Sequence, residues 1–172
     1  MKYKTLWITG LSCSGKSTLA KEVTLRLREQ DEKVIMLDGD QLRKIFGKEK
    51  NINQNYVREE RLALGIMYGR LCQVIAKQGF TVVIATIGLY KEVHAWNRKN
   101  LPGYFEIYLK VPIDELKRRD TEGIYSTFNK NVVGLDISFD EPKKADWICE
   151  YKPDLSVKII ADELIKKIKE KQ

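Results

Sequence analysis

A phosphate-binding motif near the amino terminus constrains the fold more than any other feature of this chain. Residues 10–17 read G-L-S-C-S-G-K-S and fit the pattern G-x-x-x-x-G-K-[ST], directly after the apolar run Leu6-Trp7-Ile8. In such a loop, consecutive backbone N–H groups converge on phosphate oxygens where a helix begins, because the unsatisfied amides and the helix dipole favour anions. The motif therefore predicts a buried strand, a phosphate loop, a helix starting near Lys16, and a nucleoside triphosphate as the bound ligand.

Individual positions of the motif have expected contacts with the triphosphate. Lys16 would neutralise the β- and γ-phosphates, and the Ser17 hydroxyl would ligate Mg²⁺. The rest of the predicted cradle consists of Gly10, Leu11, Ser12, Cys13, Ser14, Gly15 and Thr18. The Cys13 thiol would be sensitive to oxidation if the helix terminus lowered its pKa. An ordinary strand-to-helix turn is the alternative, but it leaves Lys16 and Ser17 without a role.

Strand and helix patterns alternate along the rest of the chain. Apolar runs predict strands at 3–9, 33–38, 80–86, 105–110 and 146–149, and helical patterns predict helices at 16–30, about 56–77, 90–100, 113–119 and from about 156 onward. Consecutive apolar residues such as Val82-Val83-Ile84 are typical of strands buried on both faces. We therefore expect an α/β fold of the P-loop NTPase type, a parallel sheet flanked by helices, with ligands at the carboxyl ends of the strands.

Composition limits the class of protein further. With 172 residues, 43% of them hydrophobic, the chain suits one domain over residues 1–172. No apolar run approaches the length of a membrane span and no signal peptide is recognisable, so we expect a cytoplasmic location and no membrane partner. The net charge of +7 fits either nucleic acid or a polyanionic small substrate. The lysine-rich segment 166–171 has the spacing of a solvated helix face, which disfavours nucleic acid.

Two carboxylates follow the second predicted strand. Asp38-Gly39-Asp40 stands where the apolar run 34–37 ends, and Arg43 follows on a predicted short helix. One acid beside a phosphate loop can hold a water of the Mg²⁺ shell, and a second can accept the proton of an acceptor hydroxyl. Asp-Gly is also a common turn pair, but the phosphate loop upstream favours the functional interpretation.

A predicted helix ends in Arg118 and Arg119, before a stretch at about 119–142 that is poor in structural signals. Many small kinases build a lid in this way, which brings positive charge onto the transferring phosphoryl group and excludes water. A solvated helix end explains the pair equally well, because arginine favours the negative end of the helix dipole.

Together these motifs resemble those of the adenylylsulfate kinase family. The matching segments lie in one order along nearly the whole chain, at 10–20, 37–43, 60–61, 119–120, 123–125, 134–136 and 141–142. The resemblance implies transfer of the ATP γ-phosphoryl group to the ribose 3′-hydroxyl of a small-molecule nucleotide that carries a 5′ mixed anhydride. It also implies a homodimer and a lid residue, Arg118 or Arg119, that faces ATP.

The resemblance also implies catalytic or acceptor-binding roles for four side chains. Asp40 looks like the base that orients and deprotonates the hydroxyl, and Asp38 looks like the carboxylate that serves the Mg²⁺ shell, although the two roles could be exchanged. Arg43 and Arg61 look like clamps on the phosphate of the acceptor, a task suited to a planar and permanently charged guanidinium.

The region after the Glu60-Arg61 match departs from the family. The family usually has an asparagine and two arginines where this chain has Leu64, Ile66 and Met67. Several acceptor contacts are therefore replaced by apolar groups, which should weaken the recognition of adenylylsulfate.

The predicted base-binding residues depart from the family as well. The two phenylalanines that sandwich adenine in the family correspond here to Tyr56 and Val132. The family segment Phe-Ile-Ser-Pro-Tyr-Arg after the third strand has become residues 86–91, which place Ile87 and Gly88 at the acceptor. One aromatic and one aliphatic face would suit a smaller, pyrimidine base.

These departures favour a branch of the family that phosphorylates cytidine diphosphoramidate for the decoration of bacterial capsules. Adenylylsulfate itself is the alternative acceptor. A kinase of another small metabolite would make little use of Arg43 and Arg61, and a module that binds ATP without transfer would not need Asp40. An RNA-binding protein is supported by charge alone.

Overall fold

The computed structural model describes residues 4–46, 58–126 and 131–170. Its strands are β1 (Thr5–Thr9), β2 (Val34–Asp38), β3 (Thr81–Thr86), β4 (Tyr104–Lys110) and β5 (Trp147–Glu150). They form a five-stranded sheet in the order β2-β3-β1-β4-β5, and every paired neighbour is parallel. The central strand is β1, where Trp7 lies opposite Ile84 of β3 and Glu106 of β4.

Helices cover both faces of this sheet. They are α1 (Lys16–Arg28), α2 (Gly39–Ile45), α3 (Arg58–Lys77), α4 (Lys91–Asn100), α5 (Ile113–Arg119) and α6 (Val157–Glu170). The parallel sheet between helices confirms the predicted fold class. None of the described helices is both long and apolar enough to cross a membrane.

The consecutive apolar residues of the strands serve two separate cores. Leu6 and Ile8 pack with α1 and α6 on one face, whereas Trp7 packs with α3 and α4 on the other. Because side chains alternate across a strand, an all-apolar β1 supplies both cores at once. All three side chains are fully buried.

Element boundaries agree with the predictions to within a few residues among those described. One shift of two residues is at the end of α1, which stops at Arg28 rather than at residue 30. Asp31 there has a left-handed φ of 59°, and the Glu32 N–H turns back to the Leu27 carbonyl. Such a left-handed residue ends a helix by satisfying its last carbonyls.

Candidate active site

The phosphate loop connects the carboxyl end of β1 to the start of α1. Gly15 precedes the helix with a φ of 91°, a left-handed conformation that favours glycine. No described side chain caps the first turn of α1. Its N–H groups are therefore available to an anion, as the motif predicts.

Lys16 folds back over this loop. Its Nζ donates a hydrogen bond to the Leu11 carbonyl at 2.6 Å. Desolvation lowers the pKa of Lys16 to about 8, partly opposed by the Asp38 carboxylate. A phosphate would offer this ammonium a stronger, charge-assisted partner than a carbonyl.

The Cys13 thiol lacks the activation that would make it sensitive to oxidation. Burial raises its pKa, and the nearby Asp120 carboxylate raises it further. The Cys13 Sγ lies 3.9 Å from Asp120 Oδ1. The helix terminus does not overcome these two effects, so the thiolate is disfavoured.

A cleft of about 700 Å³ extends from the phosphate loop towards β5 and α6. Its lining residues are Ser14, Gly15, Thr18, Leu19, Leu109, Val111, Arg119, Cys149, Glu150, Tyr151, Lys152, Leu155, Val157 and Ile160. The Arg119 guanidinium lies over the Tyr151 ring, 5.0 Å from its centroid. A cleft next to a phosphate loop can hold the nucleoside part of ATP.

Tyr151 and its neighbours in this cleft were missed by sequence reasoning. The signal was present, because Tyr151 follows directly after β5 and ligands gather at the carboxyl ends of parallel strands.

The structure separates the two arginines at the end of α5. Both guanidinium groups pair with Glu115, but Arg118 is 71% exposed, whereas Arg119 is 33% exposed and lines the cleft. Consecutive residues on a helix point about 100° apart, so the two side chains have different surroundings. The geometry favours Arg119.

Asp38 joins the phosphate loop to the second predicted motif. Its Oδ2 accepts a hydrogen bond from the Ser17 hydroxyl at 2.5 Å, and its Oδ1 accepts one from the Asp40 N–H at 2.9 Å. Asp38 therefore caps α2 while it faces the loop. A hydroxyl beside a carboxylate also suits Mg²⁺, which prefers hard oxygen ligands and is commonly held by one or two carboxylates plus phosphates.

Asp40 is more exposed than Asp38. It lies in the first turn of α2, its side chain is 70% exposed, and it forms an ion pair with Arg43 one turn later. Arg43 in turn lines an adjoining pocket.

A pocket of about 330 Å³ lies next to this turn. Its described lining consists of Arg43, Arg61, Leu64, Gly65, Tyr68, Thr86, Ile87, Gly88 and Tyr90. Four residues predicted on the acceptor side, Arg43, Arg61, Ile87 and Gly88, thus come together. Arg61 is also anchored, because it donates to the Asn131 carbonyl at 2.9 Å.

Two tyrosines of this pocket were missed by sequence reasoning. Tyr68 is one turn after Leu64 on α3, so the helical spacing could have identified it. Tyr90 lies beneath the Arg58 guanidinium, 5.1 Å from its ring centroid, and Arg58 in turn pairs with Glu92 and Asp140.

The apolar replacements on α3 have different surroundings. Leu64 is buried and lines the pocket, Ile66 packs against the core, and Met67 is 41% exposed. Leu64 is therefore the replacement that changes the chemistry of the pocket.

Val132 does not line the described pocket. It is buried in an apolar cluster with Leu11 and Tyr125, below the phosphate loop. The Tyr125 hydroxyl links the same region to the loop, because it donates to the Ser12 carbonyl at 2.9 Å. A base-binding role for Val132 stays a prediction, and Tyr56 lies outside the described residues.

A phosphate loop beside a strand-end carboxylate, with a further pocket lined by α2, α3 and the end of β3, is the arrangement expected of a P-loop phosphotransferase. The adenylylsulphate kinase family model matches residues 2–150. The chain therefore belongs to the adenylylsulphate kinase family, and it is a kinase that acts on a hydroxyl group.

Individual relatives agree with this assignment. A cytidine diphosphoramidate kinase of Campylobacter jejuni is 37% identical over 142 residues, covering 80% of this chain and 81% of the relative. An adenylyl-sulfate kinase of Pseudomonas aeruginosa is 31% identical over 165 residues, covering 90% and 82%. The structure of the Mycobacterium tuberculosis APS kinase in complex with AMPPNP and APS is similar over 98% of both chains, with 28% identity and a TM-score of 0.86.

Proposed function

We propose that this protein transfers the γ-phosphoryl group of ATP to the ribose 3′-hydroxyl of cytidine diphosphoramidate, a step in making capsule phosphoramidate. The observation that carries the proposal is the contrast between a complete phosphate loop and an acceptor pocket lined by Leu64. The described lining combines Arg43 and Arg61, whose guanidinium groups suit phosphates, with the apolar side chain of Leu64. Similarity to the Campylobacter jejuni kinase supports the same acceptor.

On the donor side, the loop N–H groups and Lys16 hold the triphosphate, and Arg119 with Tyr151 binds the nucleoside. Ser17 and Asp38 would hold Mg²⁺, which would supply positive charge against the charge that develops during transfer. Asp38 suits this role better than Asp40, because its carboxylate already contacts Ser17.

On the acceptor side, Arg43 and Arg61 bind the phosphates of the acceptor. Binding gives Arg43 a phosphate partner in place of Asp40, and the Asp40 carboxylate then accepts the proton of the 3′-hydroxyl. Acceptors that lack the 5′ phosphates leave the Asp40–Arg43 pair intact and are therefore expected to react poorly.

Adenylylsulfate is the competing acceptor, since the Pseudomonas aeruginosa relative is an adenylyl-sulfate kinase. The test supplies Mg-ATP with cytidine diphosphoramidate, adenylylsulfate, cytidine diphosphate or cytidine, and measures ADP release. Phosphorus NMR of the product locates the new phosphate. We expect a 3′-phosphate on cytidine diphosphoramidate and little turnover of cytidine; preference for adenylylsulfate or phosphorylation elsewhere would overturn the proposal.

A further inference from the structure

Tyr68 links helix α3 to the turn that carries both candidate catalytic carboxylates. Its side chain is 2% exposed, and its hydroxyl donates to the Gly39 carbonyl at 3.0 Å. Gly39 stands between Asp38 and Asp40 at the start of α2. A carbonyl oxygen can accept two hydrogen bonds, so the Gly39 carbonyl can bind the phenol and still accept a backbone hydrogen bond within α2.

The position of Tyr68 is itself firmly determined. Its ring stacks on Phe46, with centroids 6.2 Å apart. On the next residue of α3, a Cβ added to Gly69 would lie 2.6 Å from Asn97 Oδ1 and 2.7 Å from the Trp96 ring. Glycine thus permits α3 to pack closely on α4, and this packing determines where the Tyr68 hydroxyl lies.

The turn is held on its other side by the end of β3. A Cβ added to Gly39 would lie 3.1 Å from Thr86 Oγ1 and 3.2 Å from the Ala85 carbonyl. The Gly39 backbone therefore lies between β3 and the Tyr68 phenol. The Asp38 carboxylate connects the same turn to Ser17 of the phosphate loop.

We propose that Tyr68 is a positioning residue for phosphoryl transfer: its hydroxyl holds the Gly39 carbonyl and thereby keeps Asp38 and Asp40 aligned with the phosphate loop. This inference rests on the proposed function, because that reaction is what assigns chemistry to the two carboxylates. Small misplacements of catalytic groups lower rates strongly, so one buried hydrogen bond at this turn affects turnover as well as stability.

Tyr68→Phe keeps the ring and removes the hydroxyl. We expect kcat to fall about fivefold to tenfold, which corresponds to the loss of one hydrogen bond. The KM values for Mg-ATP and for the acceptor should stay within about twofold, because a positioning defect acts on the reacting groups and not on binding. The factor should be the same for cytidine diphosphoramidate and adenylylsulfate, since both present a ribose 3′-hydroxyl.

Tyr104→Phe is the matched control. The Tyr104 hydroxyl is also buried in the core under α3 and α4, and it donates a hydrogen bond of 2.7 Å to Glu106 Oε1. Neither residue is part of the described lining of either pocket. Both variants should lose thermal stability, but only Tyr68→Phe should lose turnover. Equal kcat in Tyr68→Phe and wild type, or a raised acceptor KM with unchanged kcat, would overturn the proposal.

A double variant separates this inference from the proposed function. In an Asp40→Asn background, Tyr68→Phe should cause a smaller further loss of kcat than in the wild type, because one of the two carboxylates that it positions is already disabled. A full additional loss would contradict a role through Asp40. If Asp40→Asn alone kept normal turnover, the proposed mechanism would fail instead, whatever Tyr68→Phe does.

Discussion

The donor cradle and the acceptor pocket are built in different ways. The cradle is a contiguous loop of residues 10–18, and it offers mainly backbone N–H groups with the charge of Lys16. The acceptor pocket consists mainly of side chains from α2, α3 and the end of β3. A backbone cradle tolerates little change, whereas a side-chain pocket can be rewritten one residue at a time. This difference explains how one family can keep ATP as donor and change its acceptor.

Asp38 is the point where the two regions meet, because it contacts Ser17 of the loop and caps the helix that carries Asp40 and Arg43. Variants in the phosphate loop and variants in the acceptor pocket should therefore affect different kinetic parameters.

The largest effect is expected at Asp40. Asp40→Asn should lower kcat by about 10²- to 10⁴-fold through the loss of a general base, with the KM for Mg-ATP nearly unchanged. Steady-state kinetics at saturating ATP measure this loss. A wild-type rate in Asp40→Asn would show that the protein does not use the Asp40 carboxylate as a base.

A smaller effect is expected at Arg61, which lines the acceptor pocket. Arg61→Ala should raise the acceptor KM about 10- to 100-fold through the loss of charge-assisted hydrogen bonds to phosphate. The KM for Mg-ATP should not change. Arg70→Ala, at an exposed position on the same helix, is the control and should leave both values unchanged. An equal rise in both KM values for Arg61→Ala would contradict the separation of the two pockets.

The smallest effect concerns pH on the donor side. Lys16 binds phosphate as the charged ammonium, and its pKa is lowered to about 8, so the charged fraction falls as pH rises through that value. The dissociation constant for Mg-ATP should rise about fourfold between pH 7 and pH 8.5 if only the charged form binds. In Lys16→Arg the guanidinium stays charged and the profile should be flat. A flat wild-type profile would refute the lowered pKa.

Sequence reasoning located residues that are contiguous in the chain or that follow a strand end. The phosphate loop lies between β1 and α1 as the motif predicts, and Arg43, Ile87 and Gly88 line one pocket, while their functional roles stay predictions. Sequence reasoning could not separate Arg118 from Arg119, because both occupy the same motif and only their directions around α5 differ.

The remaining differences depend on tertiary packing. Tyr68 reaches Gly39 only because α3 packs closely against α4, and Tyr151 meets Arg119 only once β5 joins the sheet edge. Val132 corresponds to a base-binding position of the family, while its described side chain is buried beside Leu11. Such contacts join segments far apart in the chain and leave no local pattern.

We propose that the protein shares its donor side with the family, whereas its acceptor side prefers a cytidine nucleotide. A competition assay tests it most directly: limiting enzyme, Mg-ATP, and equal concentrations of cytidine diphosphoramidate and adenylylsulfate, with both 3′-phosphorylated products quantified at early times. The product ratio equals the ratio of the two kcat/KM values. We predict a clear excess of the cytidine product, and equal amounts or an excess of 3′-phosphoadenylylsulfate would contradict the account.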